Sequence, residues 1–269
     1  MSRATIVEPP HLMADLKQLK LPTFAQQWSR LAEEAARRRQ PHGEYLADLA
    51  HLEVTERRDK RIRRRIAEAR FPVLKTLDTF DFAAQPSLDE AATRDLFRCD
   101  FVAERANVVL LGGVGTGKTH LAIALGIACC QRDWRVRFTT AAELTNALVE
   151  AKAAGRLSRK IEQLAAFDVV AIDELGYVPF DKHGADLLFG FVTRVYERRS
   201  LLVTTNLPFG RWSEVFLDAT AAAAVIDRIV HHATVLKTDG ESYRLRAAKS
   251  TKGERSRKTA PAVEAATRA

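Results

Sequence analysis

The chain has 269 residues, 46% of them hydrophobic and 28% charged, with a formal net charge of +8. That length accommodates one sizeable core plus a smaller companion domain, and the composition is that of an ordinary soluble globular protein. No apolar run approaches the ~20 residues that span a bilayer, and the opening MSRATIVEPPHL lacks the apolar stretch of a signal peptide, so no membrane is involved and the cytoplasm is the expected compartment.

Residues from about 11 to 72 predict a small all-helical N-terminal domain. Leu12, Leu16 and Leu19 recur at i, i+4 and i+7, as do Phe24, Trp28 and Leu31, each set forming one apolar helix face. Pro22 separates the two segments, with Thr23 the expected N-cap of the second. After the turn Gln40-Pro41-His42-Gly43, a longer helix carries Leu46, Leu49 and Leu52, then the basic run RRDKRIRRR at 57–65, and ends at Phe71-Pro72. No catalytic constellation lies in residues 1–72, so attachment to a partner or to DNA is their expected role. A basic chain is attracted to polyanions, nucleic acid foremost, although such runs also occur as solvated helix faces.

From residue 73 the pattern changes. Continuous apolar strands are expected at Asn107–Gly112, Val136–Thr139, Val169–Asp173, Leu201–Thr205 and Ala233–Lys237, alternating with helical stretches. This alternation predicts an α/β fold with a parallel sheet covered on both faces. Cys99, Cys129 and Cys130 form no metal-binding or disulfide spacing and read as small buried groups. The polar segment 247–269 reads as a basic disordered tail.

The first strand runs into Gly112-Gly113-Val114-Gly115-Thr116-Gly117-Lys118-Thr119, a complete GxxxxGK[ST] loop before a helix. Its glycines let backbone N–H groups curl around a phosphate at a helix N-terminus. Lys118 brings charge to the β- and γ-phosphates, and the Thr119 hydroxyl is the expected Mg²⁺ ligand. These residues, with the adjoining His120, are the expected ATP-binding set. The third strand ends in Asp173-Glu174, placing Asp173 at the magnesium and Glu174 as general base for the attacking water. Asn206, at the tip of the fourth strand, either orients that water or caps the turn into Leu207-Pro208; beside the other motifs, the first role is expected.

With these residues the sequence resembles the AAA+ ATPases of the IstB/DnaC group. It is nearer to IstB, the helper ATPase of an insertion-sequence transposase, than to DnaC, the replicative helicase loader. The resemblance is carried by FDF at 80–82, GTGKTHLAIALG at 115–126, AIDELGYVPF at 171–180, LLVTTNLPF at 201–209, DRIVHHA at 227–233 and GESYRLR at 240–246. It implies an AAA+ domain over 73–246, with five parallel strands in the order 5-1-4-3-2. It also implies ATP-dependent homo-oligomers on double-stranded DNA, with ATP sites at subunit interfaces.

An extra basic helix that contacts DNA is implied between strands two and three, at 141–165, with Lys152, Arg156, Arg159 and Lys160 as candidate contacts; a charged solvent face is the alternative. Arg228 matches the position of an arginine that completes a neighbouring subunit's ATP site. Only 29 residues follow Gly240, so no full C-terminal lid is expected, and Arg244 and Arg246 are not assigned the lid-arginine role. The implied partner is the transposase of the same element, the alternative a replicative helicase. A small-molecule kinase, or a DNA-binding protein with an inactive ATP site, fits the motifs less well.

Overall fold

A computed structural model describes residues 8–177, 180–216, 218–240 and 242–243. The segment 247–269, Arg244, Arg246, Val178, Pro179 and Glu241 lie outside the described residues. Two compact units divide the chain, Met1–Arg64 and Arg65–Ala269. No helix among the described residues is long and apolar enough to cross a membrane.

The first unit is helical, with α1 at Leu12–Gln18, α2 at Pro22–Arg38 and α3 starting at His42 and running to Ala69. Two sequence expectations are corrected here. Thr23 is not the N-cap of α2: Leu21 takes that position, and Pro22 is the first helical residue, where a missing N–H costs nothing and φ is already set. The orphan N–H groups of Thr23 and Phe24 instead donate to the Glu53 carboxylate of α3, at 2.8 and 3.2 Å. Leu19 does not share the buried face of Leu16, because α1 ends one residue earlier and Leu19 stands exposed as its C-cap. In α3, Leu49 is buried while Leu46 faces solvent.

Burial alone would raise the Glu53 carboxyl. The Arg57 side chain and the Phe24 and Thr23 amides outweigh burial and hold it below the usual glutamate value.

The second unit is a three-layer α/β structure. Helices α4 (Glu90–Leu96) and α5 (Asp100–Ala103) precede β1 (Asn107–Gly112) and α6 (Lys118–Gln131). Next come β2 (Val136–Thr140), α7 (Ala141–Ala153), α8 (Leu157–Ala165), β3 (Val169–Leu175) and α9 (Lys182–Val195). Then β4 (Ser200–Thr205), α10 (Ser213–Phe216), α11 (Ala219–Val230) and β5 (Ala233–Thr238) follow.

The strands pair in the order β2-β3-β4-β1-β5, all parallel, which is the order implied by the resemblance. Successive residues of a strand point to opposite faces, and here both faces are covered. Val109, Val170, Ile172, Leu201 and Val203 pack toward α7, α9 and α11, while Val108, Leu110, Ala171 and Leu202 pack toward α6. This explains why the strands read as continuous apolar runs. The three cysteines are buried and unbridged, and burial pushes the Cys130 thiol up to about 12.

Candidate nucleotide-binding site

The loop between β1 and α6 is shaped by glycines at positions no other residue fits. A Cβ on Gly112 would lie 2.0 Å from the Thr238 carbonyl oxygen of β5. Gly117 has φ +91°, a left-handed conformation that side chains resist, and a Cβ there would meet the Phe80 ring at 2.7 Å. Gly117 is also the N-cap of α6, so the loop opens onto a helix N-terminus where N–H groups and the helix dipole favour an anion. Lys118 Nζ lies 2.6 Å from the Gly113 carbonyl, over the loop.

Thr116 is only 1% exposed. Its hydroxyl binds the Gly113 carbonyl at 2.9 Å and the Thr238 hydroxyl at 2.7 Å, so this side chain secures the loop to β5. The Val114 side chain is exposed.

The acids meet the loop through a β-bulge. Ile172 pairs with Val203 and Leu175 with Thr205, so Asp173 and Glu174 together oppose the single residue Thr204. Glu174 takes φ +61° at this point, a conformation uncommon for a non-glycine residue and frequent at functional sites. The bulge sends the Asp173 side chain inward, 4% exposed, and leaves Glu174 exposed. Asp173 Oδ1 accepts from the Thr119 hydroxyl at 3.1 Å and the Thr204 hydroxyl at 2.5 Å, while the Glu174 N–H donates to Thr204 Oγ1 at 2.9 Å.

Lys118, Thr119, Glu174, Thr204 and Asn206 line one small cavity of about 60 Å³. Asn206 Oδ1 is buried there without a hydrogen-bond partner.

A second cavity of about 350 Å³ continues from Gly115–His120 toward the segment before β1. His120 holds that segment, its Nε2 lying 2.9 Å from the Thr76 carbonyl and 3.3 Å from the Thr79 hydroxyl, with its ring edge-on to Phe80. The residues at this site that sequence reasoning missed are Thr204 and Phe80. FDF carries a signal only through the family resemblance, and a lone Thr in an apolar strand carries no signal of its own.

The remaining expected residues lie elsewhere. Lys152, Arg156 and Arg159 are exposed on and beside α7 and α8, Lys160 is half-buried, and none of the four forms an ion pair among the described residues. Arg228 stands in the last turn of α11, its guanidinium donating to the Ala224 carbonyl at 2.9 Å and lying over the Phe189 ring at 5.0 Å. Its own backbone carbonyl accepts from the Asn107 side chain at the start of β1. The phosphate loop follows the other end of that strand, about 17 Å away at ~3.3 Å per residue. Arg228 and the phosphate loop therefore lie at opposite ends of β1.

The residues present fit both ATP and magnesium. Thr119 and Asp173 offer two hard oxygen donors side by side, which suits a Mg²⁺ ion completed by phosphate and water. The glycine cradle, Lys118 and the α6 N-terminus suit the phosphates. Fold and site together define a P-loop ATPase of the AAA+ type.

Residues 14–251 match the family described as IstB-like ATP binding protein. The chain is 39% identical over 228 residues to a Geobacillus stearothermophilus protein named as an ATP-binding protein of insertion sequence IS5376, covering 85% of this chain and 91% of that one. It is 39% identical over 231 residues to a Pseudomonas aeruginosa protein named for insertion sequence IS21, covering 86% and 87%.

Among solved structures, the AMPPCP-bound DnaA of Aquifex aeolicus is similar with a TM-score of 0.52 at 18% identity, over 66% of this chain and 54% of that one. DnaI is similar with a TM-score of 0.50 at 20% identity, over 62% and 89%. Both similarities concern the fold. The chain belongs to the IstB-like family of insertion-sequence ATP-binding proteins.

Proposed function

We propose that this protein is the ATP-dependent DNA-binding helper of a transposase, forming ATP-bound multimers on target DNA and recruiting or stimulating the transposase encoded by the same element. The observation that carries this reading is the set Lys118, Thr119 and Glu174 around one cavity, with Asp173 bonded to Thr119 behind it, in a chain whose relatives are named for insertion sequences.

In this reading, Lys118 and the loop N–H groups bind the phosphates. Thr119 and Asp173 hold magnesium, which neutralises charge on the β- and γ-phosphates when bound. Glu174 takes a proton from the attacking water, and the unpartnered Asn206 oxygen accepts a hydrogen bond from the same water. Arg228, at the end of β1 away from the phosphate loop, serves the site of a neighbouring subunit. The exposed, unpaired Lys152, Arg156 and Arg159, with Lys160 beside them, supply DNA phosphate contacts.

Sedimentation of the protein with double-stranded DNA of arbitrary sequence tests this reading. A non-hydrolysable ATP analogue should drive large DNA-bound assemblies that ADP does not support, and adding the cognate transposase should yield a joint complex. A protein that stays monomeric and off DNA with the analogue bound contradicts it; capture of a replicative helicase in place of the transposase redirects it to helicase loading.

A further inference from the structure

The turn after α9 and the turn after α11 come together beside the start of β1. Glu197 lies in the first of these turns with φ +56°, a left-handed conformation uncommon for a non-glycine residue. Its carbonyl accepts from the Arg105 guanidinium at 3.4 Å. His231 is the C-cap of α11, and its N–H donates to the Asp227 carbonyl at 2.9 Å. The His232 carbonyl accepts the Asn107 N–H at 2.7 Å. Backbone hydrogen bonds thus hold all three residues in place.

Their side chains converge. One ring nitrogen from each histidine and a Glu197 carboxylate oxygen all lie within 4.8 Å of one another, and all three residues are exposed. The two rings stand 4.2 Å apart between centroids, tilted by 54°. Ligand atoms around a tetrahedral zinc stand about 3.4 Å apart, a spacing that exposed side chains reach by small rotations. The Tyr196 hydroxyl lies 2.9 Å from His231 Nδ1. With Nδ1–H donating to that oxygen, Nε2 carries the lone pair, and the ring is oriented as metal-bound imidazoles are by the partner of their other nitrogen.

We propose that Glu197, His231 and His232 bind a divalent transition-metal ion of the zinc type. Imidazole nitrogens suit such ions, whereas Mg²⁺ and Ca²⁺ take oxygen ligands. Two imidazoles and a carboxylate supply three ligands, and exposure leaves the fourth position to water. The site is separate from the nucleotide's, since β1 starts beside it and runs away from it to the phosphate loop. The bound ion ties the α9–β4 turn to the end of α11 that carries Arg228.

The test titrates the full chain, stripped with a chelator and free of nucleotide, with Zn²⁺ by calorimetry and with Co²⁺ by visible absorption. The wild type should bind one Zn²⁺ at this site, and Zn²⁺ should bleach the Co²⁺ bands by displacement. Glu197→Gln and His232→Ala should each remove that binding event, and Tyr196→Phe should weaken it about 10–100-fold. Added Zn²⁺ should also slow amide exchange around Glu197 and His231 in the wild type but not in His232→Ala. Absence of saturable Zn²⁺ binding by the wild type overturns the proposal without needing any variant to fold. Binding that survives unchanged in folded Glu197→Gln or folded His232→Ala also overturns it, because the ion then sits elsewhere.

Discussion

The Thr204 hydroxyl donates to Asp173 Oδ1 at 2.5 Å while accepting the Glu174 N–H at 2.9 Å. One side chain of β4 therefore holds both acids of the bulge, the carboxylate of the first and the backbone of the second. Thr204→Val keeps the shape and removes the hydroxyl. Loss of such a supporting contact lowers activity about 10–100-fold, and here the deficit should fall on kcat and on magnesium dependence, with ATP affinity little changed. Wild-type steady-state kinetics in this variant would show that the bulge needs no hydroxyl.

Glu174→Gln retains the bulge backbone and a hydrogen-bonding side chain but not the base. ATP should bind with near-normal affinity and stay unhydrolysed in single-turnover assays, and DNA complexes should outlive those of the wild type. Turnover at the wild-type rate would remove Glu174 from the chemistry.

DNA binding through Lys152, Arg156, Arg159 and Lys160 should be weakly dependent on sequence and steeply dependent on salt. Log K should change by about 0.9 per log unit of salt for each phosphate neutralised. Neutralising Arg156, Arg159 and Lys160 together should flatten that slope, as read by fluorescence anisotropy across a salt series. An unchanged slope would leave these residues as a solvated helix face.

Glu53 gives the N-terminal unit a pH signature. A carboxyl held below its ordinary value contributes stability above about pH 4.3. That contribution is lost as the pH falls through this value to the lower folded one. At pH 7, Glu53→Gln should cost about 1.5–3 kcal/mol, the scale of a charge-assisted bond, read as faster hydrogen exchange in α2. The gap to wild type should close at acid pH. A gap that persists below both values would mean that the charge of Glu53 is not what stabilises α2.

How much of this was legible in the sequence depended on whether a residue's role is local. The phosphate loop, the acid pair and the five strands were readable because their signals are contiguous: glycines before Lys118-Thr119, apolar runs covered on both faces, acids at a strand end. Thr23 misled because the capping preference ignores what precedes it; Pro22 already filled the first helical position, and the acceptor came from Glu53, thirty residues away. Thr204 was invisible because a threonine in LLVTT is ordinary strand composition until the bulge sets it opposite Asp173 and Glu174.

In the proposed assembly, hydrolysis occurs at an interface between copies of this chain, with Arg228 of one subunit serving the loop of the next. Such an arginine contributes on the order of 10³–10⁵ in rate, and its place at the end of β1 away from Lys118 keeps it from its own site. The most direct measurement is ATPase activity after mixing Arg228→Ala with Lys118→Ala, each inactive alone. Partial recovery is expected, because a mixed assembly contains interfaces that pair an intact loop with an intact arginine. No recovery from two folded proteins that demonstrably co-assemble would contradict it, leaving Arg228 as a structural partner of Ala224 and Phe189.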